Sequence, residues 1–167
     1  MYSNSQLDML LKREYDDANV YIKYYLNAKQ IKKTILDEII EDLFVIDEVL
    51  EKKDTLIVIT EDEPNDTIIS HIKYLFDTTG IFVVIHNLKR LQFNILNHEF
   101  VPHTTILTNV EVDELKIKYN IKTVSQLPEI SRFDPHALAL CLRPGQVCKH
   151  NRKSVTAMNS VYYRVCV

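Results

Sequence analysis

Two short runs of β-branched and apolar residues, TLIVIT at Thr55–Thr60 and IFVVI at 81–85, flank a single helical segment. Runs of that kind, without polar alternation, suit strands buried on both faces. Between them Pro64 and Asp66 mark a helix start, and Ile68, Ile69, Ile72, Leu75 and Phe76 recur at helical spacing. Gly80 stands where a glycine closes a helix. A strand, a helix and a strand within about thirty residues predict two parallel strands joined by a right-handed crossover. Residues 91–96 form a candidate third strand.

The flanking segments read differently. Residues 5–53 contain neither glycine nor proline. Apolar residues fall there at Leu7, Leu10, Leu11, Tyr15, Ala18, Tyr21, Ile22 and Tyr25. They resume at Ile31, Ile35, Ile39, Leu43, Ile46 and Leu50. This spacing predicts two amphipathic helices broken near residues 27–30. Toward the C-terminus, Thr108 and Glu111 are placed as a capping box opening a helix to about Tyr119. Asp134 with Pro135 opens a shorter helix. The RPGQ turn at 143–146 precedes two strands, 146–152 and 160–167. In the second strand Val161, Tyr163, Val165 and Val167 share one face, and Tyr162, Arg164 and Cys166 the other. The expected fold is α/β in the α+β sense. A helical and βαβ domain over 1–97 (helices in 5–53, βαβ in 55–96) precedes a small α+β domain over 98–167 with a short mixed or antiparallel sheet.

Charge is unevenly distributed. Residues 1–54 hold eight Lys and Arg against twelve Asp and Glu, whereas residues 98–167 hold nine against six. After Ile130 there are six basic residues and only Asp134 against them. A basic end suits an acidic protein surface, nucleic acid or plain solvation. The three cysteines, Cys141, Cys148 and Cys166, lack CxxC spacing, so reduced thiols in an intracellular protein are expected. The polar start from Tyr2 to Asp8 does not read as a signal peptide, and no apolar run approaches the ~20 residues of a membrane span.

The last seventy residues carry a dense series of motifs: HEFVPHTTILT from His98, then YNIK, QLPEI, DP, RPGQVCK, NRKSVTA and SVYYRVCV. Each alone is a weak signal. In this order and near these spacings they resemble the C-terminal assembly domain of the fifth subunit of eukaryotic DNA-directed RNA polymerases, a domain that makes up the whole of the archaeal equivalent. The resemblance covers roughly 98–167 and, more faintly, 55–97, which is similar to the end of the eukaryotic protein's jaw domain. It implies a non-catalytic assembly and jaw component, with no catalytic residue, metal or cofactor of its own. Its expected partners are the largest polymerase subunit, other subunits and, indirectly or weakly, downstream DNA, and no membrane. The implied docking residues are Arg143, Gly145, Gln146, Lys149, Arg152, Lys153, Ser154, Thr156, Tyr162, Tyr163 and Arg164.

The chain also departs from the family pattern. Thr104 stands where the family places a histidine, with His103 one residue earlier. One extra residue lies between Lys122 and Gln126, and Glu129 replaces an arginine. Cys141 and Met158 occupy positions where the family carries glycine. These changes imply a divergent branch with a shortened jaw, a viral polymerase among the candidates. The corresponding location is the nucleus for a cellular protein, and host cytoplasm or virion for a viral one.

Three other chemistries compete. Cys148-x-His150 with His136 could supply three metal ligands, although alternation puts residues two apart on one strand face for ordinary packing reasons. Glu61, Asp62, Glu63 and Asp66 follow a strand, as Mg²⁺ ligands of a small nuclease would, with Lys89 the nearest lysine. The plainer reading is a solvated acidic loop before a helix N-terminus. Arg152, Lys153 and Arg164 interleaved with Tyr162 and Tyr163 would suit a free-standing nucleic-acid-binding module.

Overall fold

The structure, a computed structural model, describes residues 7–13 and 17–167. The chain divides into two compact units, one ending at Phe93 and the other running Asn94–Val167.

The first unit is built on a four-stranded sheet, in the order β1 (Met9–Lys12), β2 (Asn19–Tyr24), β3 (Thr55–Thr60) and β4 (Phe82–Asn87). β1 is antiparallel to β2, and β2, β3 and β4 are mutually parallel. The expected parallel pair is therefore present, in register from Thr55↔Phe82 to Thr60↔Asn87. Helix α1 (Lys33–Glu41) runs directly into a π-helical turn at Asp42–Ile46 before β3, and α2 (Asp66–Thr79) joins β3 to β4. Asn65 caps α2 by accepting the Ile68 N–H at 2.9 Å, and Gly80 ends it at φ +78. Leu36, Leu56, Val58 and Ile72 are fully buried. His71 on α2 meets Asp37 on α1 at 2.5 Å.

Two expectations fail here. The first of the two predicted helices is replaced by the β1–β2 hairpin; its stretches 5–6 and 14–16, Tyr15 included, lie outside the described residues. The apolar spacing that fits a helix fits this hairpin too, and tertiary pairing decides: β2 fills the open edge of β3. Asn19–Tyr24 is rich in Val, Ile and Tyr, which suit a pleated strand. The buried Asp54 fastens its start, accepting N–H bonds from Asn19 at 2.7 Å and Glu51 at 2.8 Å. The second helix forms but ends early, in the π turn. Residues 91–96 form no strand. Asn87 accepts the Lys89 N–H at 2.7 Å and Asn94 accepts the Leu96 N–H at 3.0 Å, so the chain closes into 3₁₀ turns at Leu88–Gln92 and Ile95–Asn97.

The second unit carries a mixed sheet in the order β5 (His103–Ile106), β7 (Val147–Ser154), β8 (Met158–Cys166), β6 (Glu129–Ile130). β7 and β8 pair antiparallel over their whole length, from Val147↔Val165 to Ser154↔Met158. The Thr108–Glu111 capping box opens α3 (Asn109–Tyr119), and Asp134 with Pro135 opens α4 (Pro135–Ala139), both as expected. β5 and the two-residue β6, parallel to β8, were not anticipated from the sequence. Alternation along β7 and β8 sorts two clusters. Val147 and Val165 pack with Leu115 and Tyr163 on one face; Cys148 and Cys166 pack with Ile130, Ala137 and Leu142 on the other.

A buried polar chain stiffens this sheet. Thr104 Oγ1 lies 3.0 Å from the Pro102 carbonyl, so its hydroxyl donates there. His150 Nδ1, 2.8 Å away, then donates to Thr104. That leaves His150 Nε2 to accept from the Cys148 thiol at 3.1 Å. Thr104, at the family's histidine position, thus supports a histidine on the neighbouring strand.

Cys141 and Met158 both adopt the left-handed region, at φ +50 and +56. The family glycines at these positions are explained by the backbone, because a Cβ in that region costs about 1–2 kcal/mol. Met158→Gly is expected to stabilise the protein by about 0.5–1 kcal/mol, after allowing for the freer unfolded chain. Met158 loses little burial, being 83% exposed. Cys141→Gly gains less, since Cys141 is half-buried and its thiol approaches the Leu138 carbonyl at 3.6 Å. Urea denaturation of the three proteins checks this; a destabilised Met158→Gly would exclude strain at that position.

His150 should also make stability pH-dependent. It is 2% exposed. Burial, then the charges of His136 and Arg164, lower its pKa to about 4, with Asp134 opposing. His136 is lowered as well, chiefly by burial. An unfolded histidine titrates near 6.5, so below that pH the unfolded chain takes up protons that the folded chain refuses. Stability is complete above pH 6.5 and falls as pH drops toward 4, His150 contributing about 2–3 kcal/mol. In melting curves between pH 7 and 4.5, His150→Gln should flatten the decline. An equally steep decline in the variant would exclude His150 as its source.

Candidate functional site

The residues implicated at the C-terminal end fall on one continuous feature, the turn into β7 and the β7–β8 ribbon. Arg143 and Gln146 close the turn. The Gln146 N–H donates to the Arg143 carbonyl at 3.1 Å, and the Gln146 side chain accepts the Arg143 N–H at 2.8 Å. Gly145, at φ +87, donates its N–H to the Cys166 carbonyl at 2.8 Å. Gly145 and Gln146 therefore set the geometry from which the ribbon starts. Ser154 and Thr156 sit at the ribbon's other end, their hydroxyls 3.4 Å apart, and Ser154 Oγ accepts the Ala157 N–H.

Cross-strand register divides the remaining residues between two faces. Cys148↔Arg164, His150↔Tyr162, Arg152↔Ser160 and Ser154↔Met158 lie on one. Lys149↔Tyr163, Asn151↔Val161 and Lys153↔Asn159 lie on the other. Tyr162 stacks on His150 with ring centroids 4.7 Å apart, and the Arg164 guanidinium stands 5.8 Å from the Tyr162 ring. On the opposite face Tyr163 meets Tyr119 of α3 edge-on at 5.9 Å. Lys149 and Tyr163 border a groove of about 200 Å³ with Leu107, Leu115, Glu111, Glu114 and Lys118. Glu111 is held below the usual carboxylate range by the Thr108 N–H and hydroxyl, both of which it accepts.

The ribbon tip presents basic and apolar side chains together. Arg152 and Lys153 are exposed. Val155 is fully exposed, Met158 is 83% exposed and Val161 46%. These three apolar residues were absent from the sequence-derived set. Alternation could have flagged Val161, which stands within β8, but Val155 lies in the turn between β7 and β8 and Met158 at the first position of β8, where alternation gives no signal.

The competing chemistries fare differently. Tyr162 and Tyr163 cannot form one stacking platform, because they point to opposite faces and each already packs against a ring of its own unit. Cys148, His150 and His136 do come together, the two imidazoles 5.5 Å apart, but the Cys148 and Thr104 hydrogen bonds occupy both nitrogens of His150. Among the described residues no three His, Cys, Asp or Glu side chains converge as metal ligands. In the acidic loop, Lys89 pairs with Asp62 at 3.2 Å and Arg90 with Glu63 at 2.6 Å, so both carboxylates already face a cation.

The comparisons with known proteins fall on the same part of the chain. The family described as RNA polymerase Rpb5, C-terminal domain, matches residues 93–166. The DNA-directed RNA polymerase subunit Rpo5 of Thermococcus onnurineus is 47% identical over 76 residues, covering 46% of this chain and 92% of that protein. The Rpo5 of Methanococcoides burtonii is 37% identical over 76 residues, covering 46% of this chain and 96% of that protein. The DNA-directed RNA polymerases I, II, and III subunit RPABC1 of Caenorhabditis elegans is 44% identical over 77 residues, covering 46% of this chain and 36% of that protein. With nearly the whole archaeal protein matched at this identity, the chain belongs to the family of the fifth subunit of DNA-directed RNA polymerases.

Proposed function

We propose that this chain is a structural, non-catalytic subunit of a multisubunit DNA-directed RNA polymerase. Its C-terminal unit docks on the largest subunit through the β7–β8 ribbon and the turn that precedes it. Its N-terminal unit, with the parallel strands β2 to β4, forms part of a jaw beside downstream DNA, which it approaches indirectly or weakly. The role implies an intracellular site of action.

The observation that carries this reading is the match of residues 93–166 to the family. The surface of the ribbon supports the choice of docking site. Arg152 and Lys153 stand beside the bare apolar residues Val155 and Met158 at its tip. Arginine offers paired donors to carboxylates, and apolar side chains supply the area an interface centre needs. The ion-paired acidic loop argues against a nuclease role.

Purification of the tagged chain from its native source should bring down large polymerase subunits; their absence would overturn the reading. Arg152→Ala should weaken that assembly by about 1–3 kcal/mol, as removal of an interface anchor does. The free protein's melting curve should hardly change, since an exposed substitution costs within about 0.5 kcal/mol. A variant that assembles normally but loses affinity for DNA would make the ribbon a nucleic-acid surface instead.

A further inference from the structure

β8 is paired along the whole of one side and only at its end on the other. Gln146 and Cys166 face each other across the ladder, since the Cys166 N–H donates to the Gln146 carbonyl at 2.9 Å. With unbroken register from Val147↔Val165 to Ser154↔Met158, residues 160, 162 and 164 direct their backbone groups toward β7. Residues 159, 161, 163 and 165 direct theirs away. Among the described residues only the last of these is met there, the Val165 N–H donating to the Pro128 carbonyl at 2.9 Å.

Pro128 explains why the pairing stops. In the parallel ladder of β6 with β8, Val165 opposes Glu129. The next bond up the strand would join the Tyr163 carbonyl to the N–H of residue 128, and proline has none. The Asn159 N–H turns back to the Ala157 carbonyl at 2.5 Å. Among the described residues nothing meets the N–H and C=O of Val161 and Tyr163 or the Asn159 carbonyl, which are left as a row along the edge. Val161 is 46% exposed, and neither proline nor a bulge interrupts the row. Exposed edges are ordinarily protected by such devices.

We propose that this edge of β8 receives an extended segment of a partner polymerase subunit as an added strand, continuing the line of β6 beyond Pro128. The inference rests on the polymerase-subunit reading. Charge selects the occupant's chemistry: residues 131–167 hold six Lys and Arg against Asp134 alone. Arg164 lies on the edge strand itself, half-buried, with its guanidinium near the Tyr162 ring. The added strand therefore carries a carboxylate beside Arg164, and small or apolar residues over Val161 and Tyr163. Backbone bonds supply attachment in this mode, and alternate side chains supply selectivity.

The test uses the full chain in its native assembly. Amide hydrogen exchange should be fast at Val161 and Tyr163 in the free chain and slow in the complex, whereas Ser160 and Tyr162, bonded to β7, are slow in both. Val161→Pro deletes an outward N–H without touching the β7 ladder, so the free variant should melt as wild type does. Its recovery of large polymerase subunits should fall about tenfold or more, because a buried acceptor on the added strand loses its donor. Val161→Ala, which keeps the N–H, should assemble nearly normally. Unchanged exchange in the complex, or normal assembly of Val161→Pro, would overturn strand addition and leave docking intact. Slow exchange that appears in the free chain with concentration, together with a dimer in sedimentation, would make a second copy the occupant and overturn the assignment to a partner subunit. A wild-type chain that recovers no polymerase subunit would overturn the functional reading itself.

Discussion

The unbroken antiparallel register of Val147–Ser154 against Met158–Cys166 is the constraint on which the C-terminal unit depends. β5 attaches to one side of this ribbon and β6 to the other. A slip of one residue would exchange Val147 and Val165 with Cys148 and Cys166 and send each cluster to the wrong face. Two features hold the register. At one end Gly145 allows the turn and bonds to Cys166. Near the middle His150 is fixed through Thr104 to β5 and by stacking to Tyr162 on β8. The same register aims Arg152 and Arg164 to one face and Lys149 and Lys153 to the other.

The departures from the family pattern acquire physical meaning in this frame. Thr104 does not leave a vacancy: it completes a hydrogen-bond chain from Cys148 to Pro102. Cys141 and Met158, in contrast, keep the backbone conformation that glycine would adopt freely and bear its cost. Both positions thus hold a backbone conformation suited to glycine although neither residue is glycine.

Local chemistry decided how much could be read from the amino-acid sequence. Where a side chain satisfies its own neighbouring backbone, the reading was sound: Thr108 with Glu111, Asp134 with Pro135, and Gly80 all stand as expected. The buried runs TLIVIT and IFVVI likewise declared themselves by β-branching and flanking turns, although the second strand runs on to Asn87. Where the outcome depended on distant partners, the reading failed. Residues 9–24 carry apolar residues that fit a helix stripe, yet β3 offered an unpaired edge and Asp54 an acceptor for the Asn19 N–H. β6 is only two residues long, because Pro128 ends it and β8 defines it, and neither fact has a local signature. For the candidate site, the basic and aromatic residues were implied by the family resemblance, and the late excess of Lys and Arg only permits the role. Their division between two faces followed from strand alternation, and only the exposure of Val155 and Met158 required the fold.

Cross-linking of lysines in the assembled native complex tests most directly whether the C-terminal ribbon joins this chain to the polymerase. Lys149 and Lys153 lie on the ribbon, whereas Lys33 and Lys73 lie on the helices of the N-terminal unit. Docking through the ribbon predicts that Lys149 and Lys153 link to the largest subunit, and that their reactivity falls on assembly. Links to the largest subunit from Lys33 and Lys73 alone, with Lys149 and Lys153 as reactive in the complex as in the free chain, would contradict it.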